Sequence, residues 1–180
     1  MKKIKIGIIA GMLFLLPHLL LSQTNKQDSI WKPFKFFIGT WTGTSEGQSG
    51  KGVYERSYKF IFNGKFIEVR NKSTYPPTTE NPKGEVHEDI GYISYDKSRK
   101  TFVLRQFHIE GFVNQYKLDS ISPDKKTIVF ITESIENIAP GWKAKESYQL
   151  INDREFIESF ELAEPNKPFE VYSKATLKKK

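Results

Sequence analysis

The chain has 180 residues, 27% of them charged, a formal charge of +7 and no cysteine. The missing cysteine excludes disulfides, thiolate metal sites and a lipid-modified cysteine anchor. Three lysines stand in the first five residues and three close the chain, leaving about +1 for a body in which acids and bases alternate, so no nucleic-acid-binding face is expected.

In chain order, Lys2, Lys3 and Lys5 precede the apolar run Ile6 to Leu21, with Ser22 before a polar start at Gln23. This is the layout of a secretory signal. The run is shorter than the roughly 20 residues a spanning helix needs, and Pro17 interrupts it. Residues 1–22 are therefore read as a signal peptide and the mature chain as exported, periplasmic or secreted, with no membrane span after cleavage. An uncleaved N-terminal anchor is the alternative.

Residues 23–37 are a polar lead-in ending in "IWKPFKFF", where Pro33 permits only a short helical turn. From residue 38 the pattern has period two. Strand-like runs fall at about 38–46, 53–62, 65–75, 85–95, 100–109, 112–120, 126–135, 142–151, 155–163 and 168–177. Their links are short, which means antiparallel hairpins, since a parallel crossover needs a dozen residues or more. The one longer link, "PPTTENPKG" at 76–84, reads as an exposed loop at a barrel mouth. An open meander of ten strands would leave two unpaired edges. The expected fold for 38–180 is thus all-β, a ten-stranded antiparallel up-and-down β-barrel with the N-terminal helical turn as a plug. A β-sandwich is the alternative.

Asn63-Gly64 marks a tight turn that pairs Lys59 with Glu68 and Glu55 with Lys72 on a solvated face. The other face carries Tyr54, Arg56, Tyr58, Phe60 and Phe62 against Ile67, Val69 and Asn71, and is assigned to the interior. Alternation adds three inward sets: Trp142, Ala144, Glu146, Tyr148 and Leu150; Phe156, Phe160 and Leu162; Phe169, Val171, Ala175 and Leu177. An arginine among aromatics is costly unless paired. Either an internal carboxylate satisfies Arg56, or a cavity and an acidic ligand do. On the second reading Arg56, Tyr58 and Asn71, with Arg105 and Tyr116, hold the polar end of a small hydrophobic or amphipathic ligand such as a fatty acid.

The mature chain has two histidines, His87 and His108. A turn over Asp96 to Arg99 pairs Tyr95 with Lys100, His87 with His108, Glu85 with Glu110 and Asp89 with Gln106. Two imidazoles among carboxylates suit a divalent metal or an acid–base pair. The opposite face, with Val86, Ile90, Tyr92, Val103, Arg105, Phe107 and Ile109, is the more apolar and is expected inside, which leaves the histidines in solvent. No G-x-S-x-G or G-x-x-x-x-G-K-[ST] occurs, so no catalytic residue is assigned.

Four segments carry a resemblance. "FIGTWTGTSEG" resembles the G-x-W-x-G-x-G-x-G opening of the nitrobindin family, heme-binding ten-stranded barrels related to fatty-acid-binding proteins and lipocalins. "YERSYKFIFNGKFIEVR" is similar to that family's second hairpin, "VHEDIGYI" to its H-x-E-x-G-Y-L, and "YSKATLKK" to its last strand. The resemblance implies the calycin-type barrel, and heme on a proximal histidine of the last strand with nitric-oxide and peroxynitrite chemistry. Two departures stand out: Ser45 replaces a signature glycine, and Val171 or Tyr172 occupies the place of the proximal histidine. Heme iron takes His, Cys, Met or Tyr, so Tyr172 is the candidate there, although alternation turns it away from Val171. No cofactor is expected. The alternatives are a heme protein with a non-standard axial ligand, enzymatic only as a heme-dependent isomerase, and a solid-cored interaction module acting through loop 76–84 or the lysine tail.

Overall fold

The computed structural model describes residues 30–48, 50–79 and 81–180, so the signal peptide expected at 1–22 lies outside the described residues. Among the described residues no helix is long and apolar enough to cross a membrane. Contacts divide the chain into two compact units, Met1–Lys35 and Phe36–Lys180. In the described part of the first, the Trp31 carbonyl accepts from the Phe34 and Lys35 N–H groups, and Pro33 lies in this first turn, where its missing N–H forfeits no bond.

The second unit is a barrel of ten strands: β1 (Gly39–Gly47), β2 (Gly52–Ile61), β3 (Phe66–Tyr75), β4 (Glu85–Asp96), β5 (Thr101–His108), β6 (Val113–Ile121), β7 (Thr127–Glu136), β8 (Lys143–Asn152), β9 (Glu155–Ala163) and β10 (Glu170–Lys179). Each pairs antiparallel with its sequence neighbour, and β1 pairs with β10, so the sheet has no free edge. The seam is tight at Gly43, opposite Leu177, where a Cβ would stand 1.8 Å from the Thr176 carbonyl oxygen.

One barrel end is solid. Trp41 is fully buried and donates Nε1–H to the Phe37 carbonyl at 2.7 Å. Phe156 meets Trp41 edge to face at 4.8 Å and Phe37 at 5.2 Å, while Phe37 reaches Tyr58 and Tyr148 at 5.3 and 5.2 Å. Each such pair contributes about 0.5–1.5 kcal/mol beyond burial. The other end is ringed by the β1–β2, β3–β4, β5–β6, β7–β8 and β9–β10 links, among them the proline-rich segment 76–84.

The β2–β3 register is the expected one: Lys59 faces Glu68, Glu55 faces Lys72 and Arg56 faces Asn71. Its turn is wider than two residues. Phe62, Asn63 and Gly64 all have left-handed φ (48°, 55° and 73°), and this rolls the Phe62 side chain out to 72% exposure instead of into the interior. The β4–β5 register differs from expectation by two residues. Asp96 stays in the strand opposite Thr101, because its carboxylate accepts from Ser98 N–H, Arg99 N–H and Arg99 Nε, and Lys100 at φ 53° closes the loop. Asp89, not His87, therefore stands opposite His108. The orientation also reverses: His87, Asp89, Gly91 and Ile93 face inward with Leu104, Gln106 and His108, while Val86, Phe107 and Ile109 are exposed.

Candidate functional site

The open end encloses a cavity of about 470 Å³. Its walls are aromatic and aliphatic, with Phe112, Ile135, Ile138, Trp142, Phe160 and Leu162 contributing. Its depth is polar, because the inward positions of β2, β4, β6, β8 and β9 at this height are Arg56, Asp89, Asn114, Glu146 and Glu158.

Arg56 is 6% exposed and held by Glu158, with Nη2 at 2.6 Å from Oε1 and Nε at 3.0 and 3.1 Å from the two carboxylate oxygens. Its Nη1 donates to the Glu55 and Lys72 carbonyls, and the guanidinium lies 4.4 Å from the Tyr54 ring centre. Burial works against the guanidinium charge, yet the Glu158 carboxylate more than offsets it, so Arg56 stays protonated above its ordinary pKa. The internal-carboxylate alternative is thus the arrangement observed, and few Arg56 donors remain for a ligand carboxylate.

Glu146 has no such partner. Burial, then the Glu158 and Asp89 carboxylates, push its pKa well above the carboxylate range; Arg56 and a Gln106 hydrogen bond only partly oppose this. Glu146 therefore keeps its proton to a higher pH in the folded state than in the unfolded chain. The folded state holds the extra proton, so stability falls as pH rises from about 4.5 toward the folded pKa, by about 1.4 kcal/mol per pH unit inside that window. Glu146→Gln, shape-matched and uncharged, is expected to flatten this slope as pH rises above about 4.5. Denaturation midpoints across that range check it; parallel wild-type and variant profiles would contradict it.

The two histidines share the wall at the mouth. Glu110 Oε1 is 2.6 Å from His87 Nδ1, His87 Nε2 is 3.4 Å from His108 Nδ1, and Asp89 Oδ2 is 3.8 Å from His87 Nε2. Asn71 Nδ2 donates to the other Asp89 oxygen at 2.9 Å. Burial raises Asp89 to about 6, and burial together with neighbouring His87 lowers His108 to about 4. The His108 ring stacks on Phe112 at 4.3 Å.

Of the residues singled out from sequence, Arg56, Asn71, His87, His108 and Tyr172 line the cavity. Tyr58 lies deeper, in the solid end, and Tyr116 is fully buried with its hydroxyl accepting from Asn114 Nδ2. Arg105 lies on the outer face, its Nε donating to Gln115 Oε1 at 3.2 Å. Tyr172 reaches the mouth because of a β-bulge: Val171 pairs with Glu161 and Ser173 with Phe160, so Tyr172 is the unpaired extra residue and alternation breaks there. Val171, expected inside, is 48% exposed. Glu158, the partner of Arg56, sits at period two between Phe156 and Phe160 with no motif to mark it. Asp89, expected on a solvated face, lines the cavity.

The model of the THAP4-like, heme-binding beta-barrel domain matches residues 31–179. The chain belongs to this family. Among solved structures, Rv2717c from M. tuberculosis is 15% identical, with a TM-score of 0.61 over 84% of this chain and 97% of that one, a likeness of fold. A protein of unknown function from the DUF3598 family of Nostoc punctiforme, 8% identical over 84% of this chain and 99% of its own, has a TM-score of 0.28. Among curated proteins none matches.

Whether this member's residues suit heme is decided by its donors. On β10 the inward side chain beside the cavity is Ser173, and Tyr172 stands at the rim, 40% exposed, with its phenol pKa raised chiefly by burial. His87 presents Nδ1 to Glu110 and Nε2 to Asp89 and His108, while His108 Nε2 is sealed from solvent. Glu85 and Glu110 at the mouth carry the wrong sign for heme propionates. The described residues do not fit heme held in the family's manner.

Proposed function

We propose that the mature chain is an exported, non-catalytic binding protein for a small amphipathic ligand whose polar end is neutral or cationic. The observation that carries this is the neutralised arginine: Arg56 is taken by Glu158, while Glu85, Asp89 and Glu110 also line the cavity. A carboxylate ligand would displace a buried ion pair and meet further acids, whereas an amine or alcohol finds acceptors. The apolar walls supply burial for the rest of the ligand. An acidic ligand, such as a fatty acid, is disfavoured on the same grounds.

Trp142 is the cavity's tryptophan and reports occupancy. Titrating untagged mature protein with dodecylamine, dodecanol and dodecanoate, read by tryptophan emission, is expected to show the amine or alcohol binding at least tenfold tighter than the carboxylate, and the signal vanishing in Trp142→Phe. Dodecanoate binding as tightly would overturn the reading. Hemin in the same titration is expected to give no protein-bound Soret band; one that disappears in Tyr172→Phe or His87→Ala would establish the heme alternative instead.

A further inference from the structure

We propose that His87, Asp89 and His108 form an open three-ligand site for a divalent transition-metal ion, zinc above all, in the wall of the cavity. This goes beyond the binding reading and stands whether or not an organic ligand enters.

His87 Nε2, His108 Nδ1 and an Asp89 carboxylate oxygen all lie within 4.8 Å of one another. Two of the separations are 3.4 and 3.8 Å. Tetrahedral ligands about 2.1 Å from an ion stand ~3.4 Å apart, so these atoms need little movement to share one. As hydrogen bonds the same contacts are long. The Asp89 side chain is 6% exposed, yet Oδ2 is beyond hydrogen-bond distance of His87, while Asn71 orients Oδ1. One oxygen of this buried carboxylate thus stands within 4.8 Å of a nitrogen of each imidazole, at a distance from His87 that suits a shared ion better than a hydrogen bond.

Glu110 supplies the outer partner. Its 2.6 Å contact with His87 Nδ1 calls for the proton there, which leaves the Nε2 lone pair directed at Asp89 and His108. The carboxylate–histidine arrangement orients a metal-bound imidazole and raises its basicity. His108 is set by its stack on Phe112. Two nitrogens and one oxygen suit zinc, with cobalt, nickel or ferrous iron as congeners. The fourth position opens into the cavity, where a water or a ligand's donor atom can complete the shell.

The test is metal binding itself. Full-length, untagged protein stripped with a chelator and dialysed is titrated with zinc by calorimetry, and with cobalt(II) by its visible d–d absorption. One ion per chain is expected, with the intense visible band of tetrahedral coordination. Asp89→Asn, close in shape, is expected to weaken zinc by 100-fold or more, as is His87→Ala, and Glu110→Gln by 10- to 100-fold. Near-UV circular dichroism of each apo variant separates lost ligands from lost fold. No stoichiometric ion in the wild type, or a zinc affinity unchanged in Asp89→Asn and His87→Ala, overturns the site. The amphiphile titration is read separately, in chelator, so either inference can fail alone.

Discussion

Arg56→Met is expected to destabilise the barrel by about 3–5 kcal/mol, the range for breaking a buried ion pair from one side. The loss comes less from the missing contact than from Glu158, left buried and without its ion-pair partner beside Asp89 and Glu146. That reasoning has a sharper consequence. Arg56→Met combined with Glu158→Leu removes both charges, and is expected to recover most of the loss because the pair's desolvation cost disappears with it. Urea denaturation of the two singles and the double forms the cycle, with near-UV circular dichroism confirming that each retains native packing. Recovery in the double variant means that the pair organises the cavity floor. A double variant less stable than Arg56→Met would mean that other groups need the arginine, and the neutralised-floor argument would fall. A ligand-gripping arginine makes a different forecast: Arg56→Met would leave stability nearly unchanged and abolish binding.

The β2–β3 hairpin was legible because turn chemistry and charge pairing agreed there, at Asn63-Gly64 and at Lys59–Glu68 and Glu55–Lys72. The histidine hairpin was not, for two physical reasons. Asp96 caps its own turn and remains in the strand, which moves every partner by two while keeping the same residues on each face. The inside there is a polar cavity, so assigning the apolar face to the interior picks the wrong side, and Val86, Phe107 and Ile109 come out exposed. Tyr172 escaped alternation through a bulge, which no period-two count can anticipate. Glu158 is an acid in an aromatic strand, and its inward role is legible only once its partner Arg56 has a place in the fold. The closed barrel and its family were readable from hairpin spacing and motif. The cavity's charge balance was not, because it depends on side chains from five strands meeting at one height.

Gly43→Ala is expected to cost about 3 kcal/mol or more, at or beyond the upper end of overpacking losses, because what a methyl would strike is backbone. Its Cβ would fall 1.8 Å from the Thr176 oxygen and 2.7 Å from the carbonyl carbon. Neither atom can turn aside as a side chain would. Relief requires β1 and β10 to separate, and that reopens the two edges that closure removes. Gly91→Ala is the comparison: its Cβ would stand 3.0 Å from the Arg105 carbonyl oxygen and 3.0 Å from the Gln106 Cγ, a tighter-than-usual contact relieved by small shifts, for about 1 kcal/mol. Ser45, two residues on, shows why the neighbouring signature position tolerates a side chain. Its hydroxyl reaches the Gly50 carbonyl at 3.5 Å and it is accommodated at 5% exposure. Urea midpoints give the energies, and hydrogen exchange gives the location: in Gly43→Ala, β10 amides should lose protection before those of β5. Equal costs for the two alanines, or uniform loss of protection, would mean that the seam relaxes freely and that the glycine at 43 serves something other than closure.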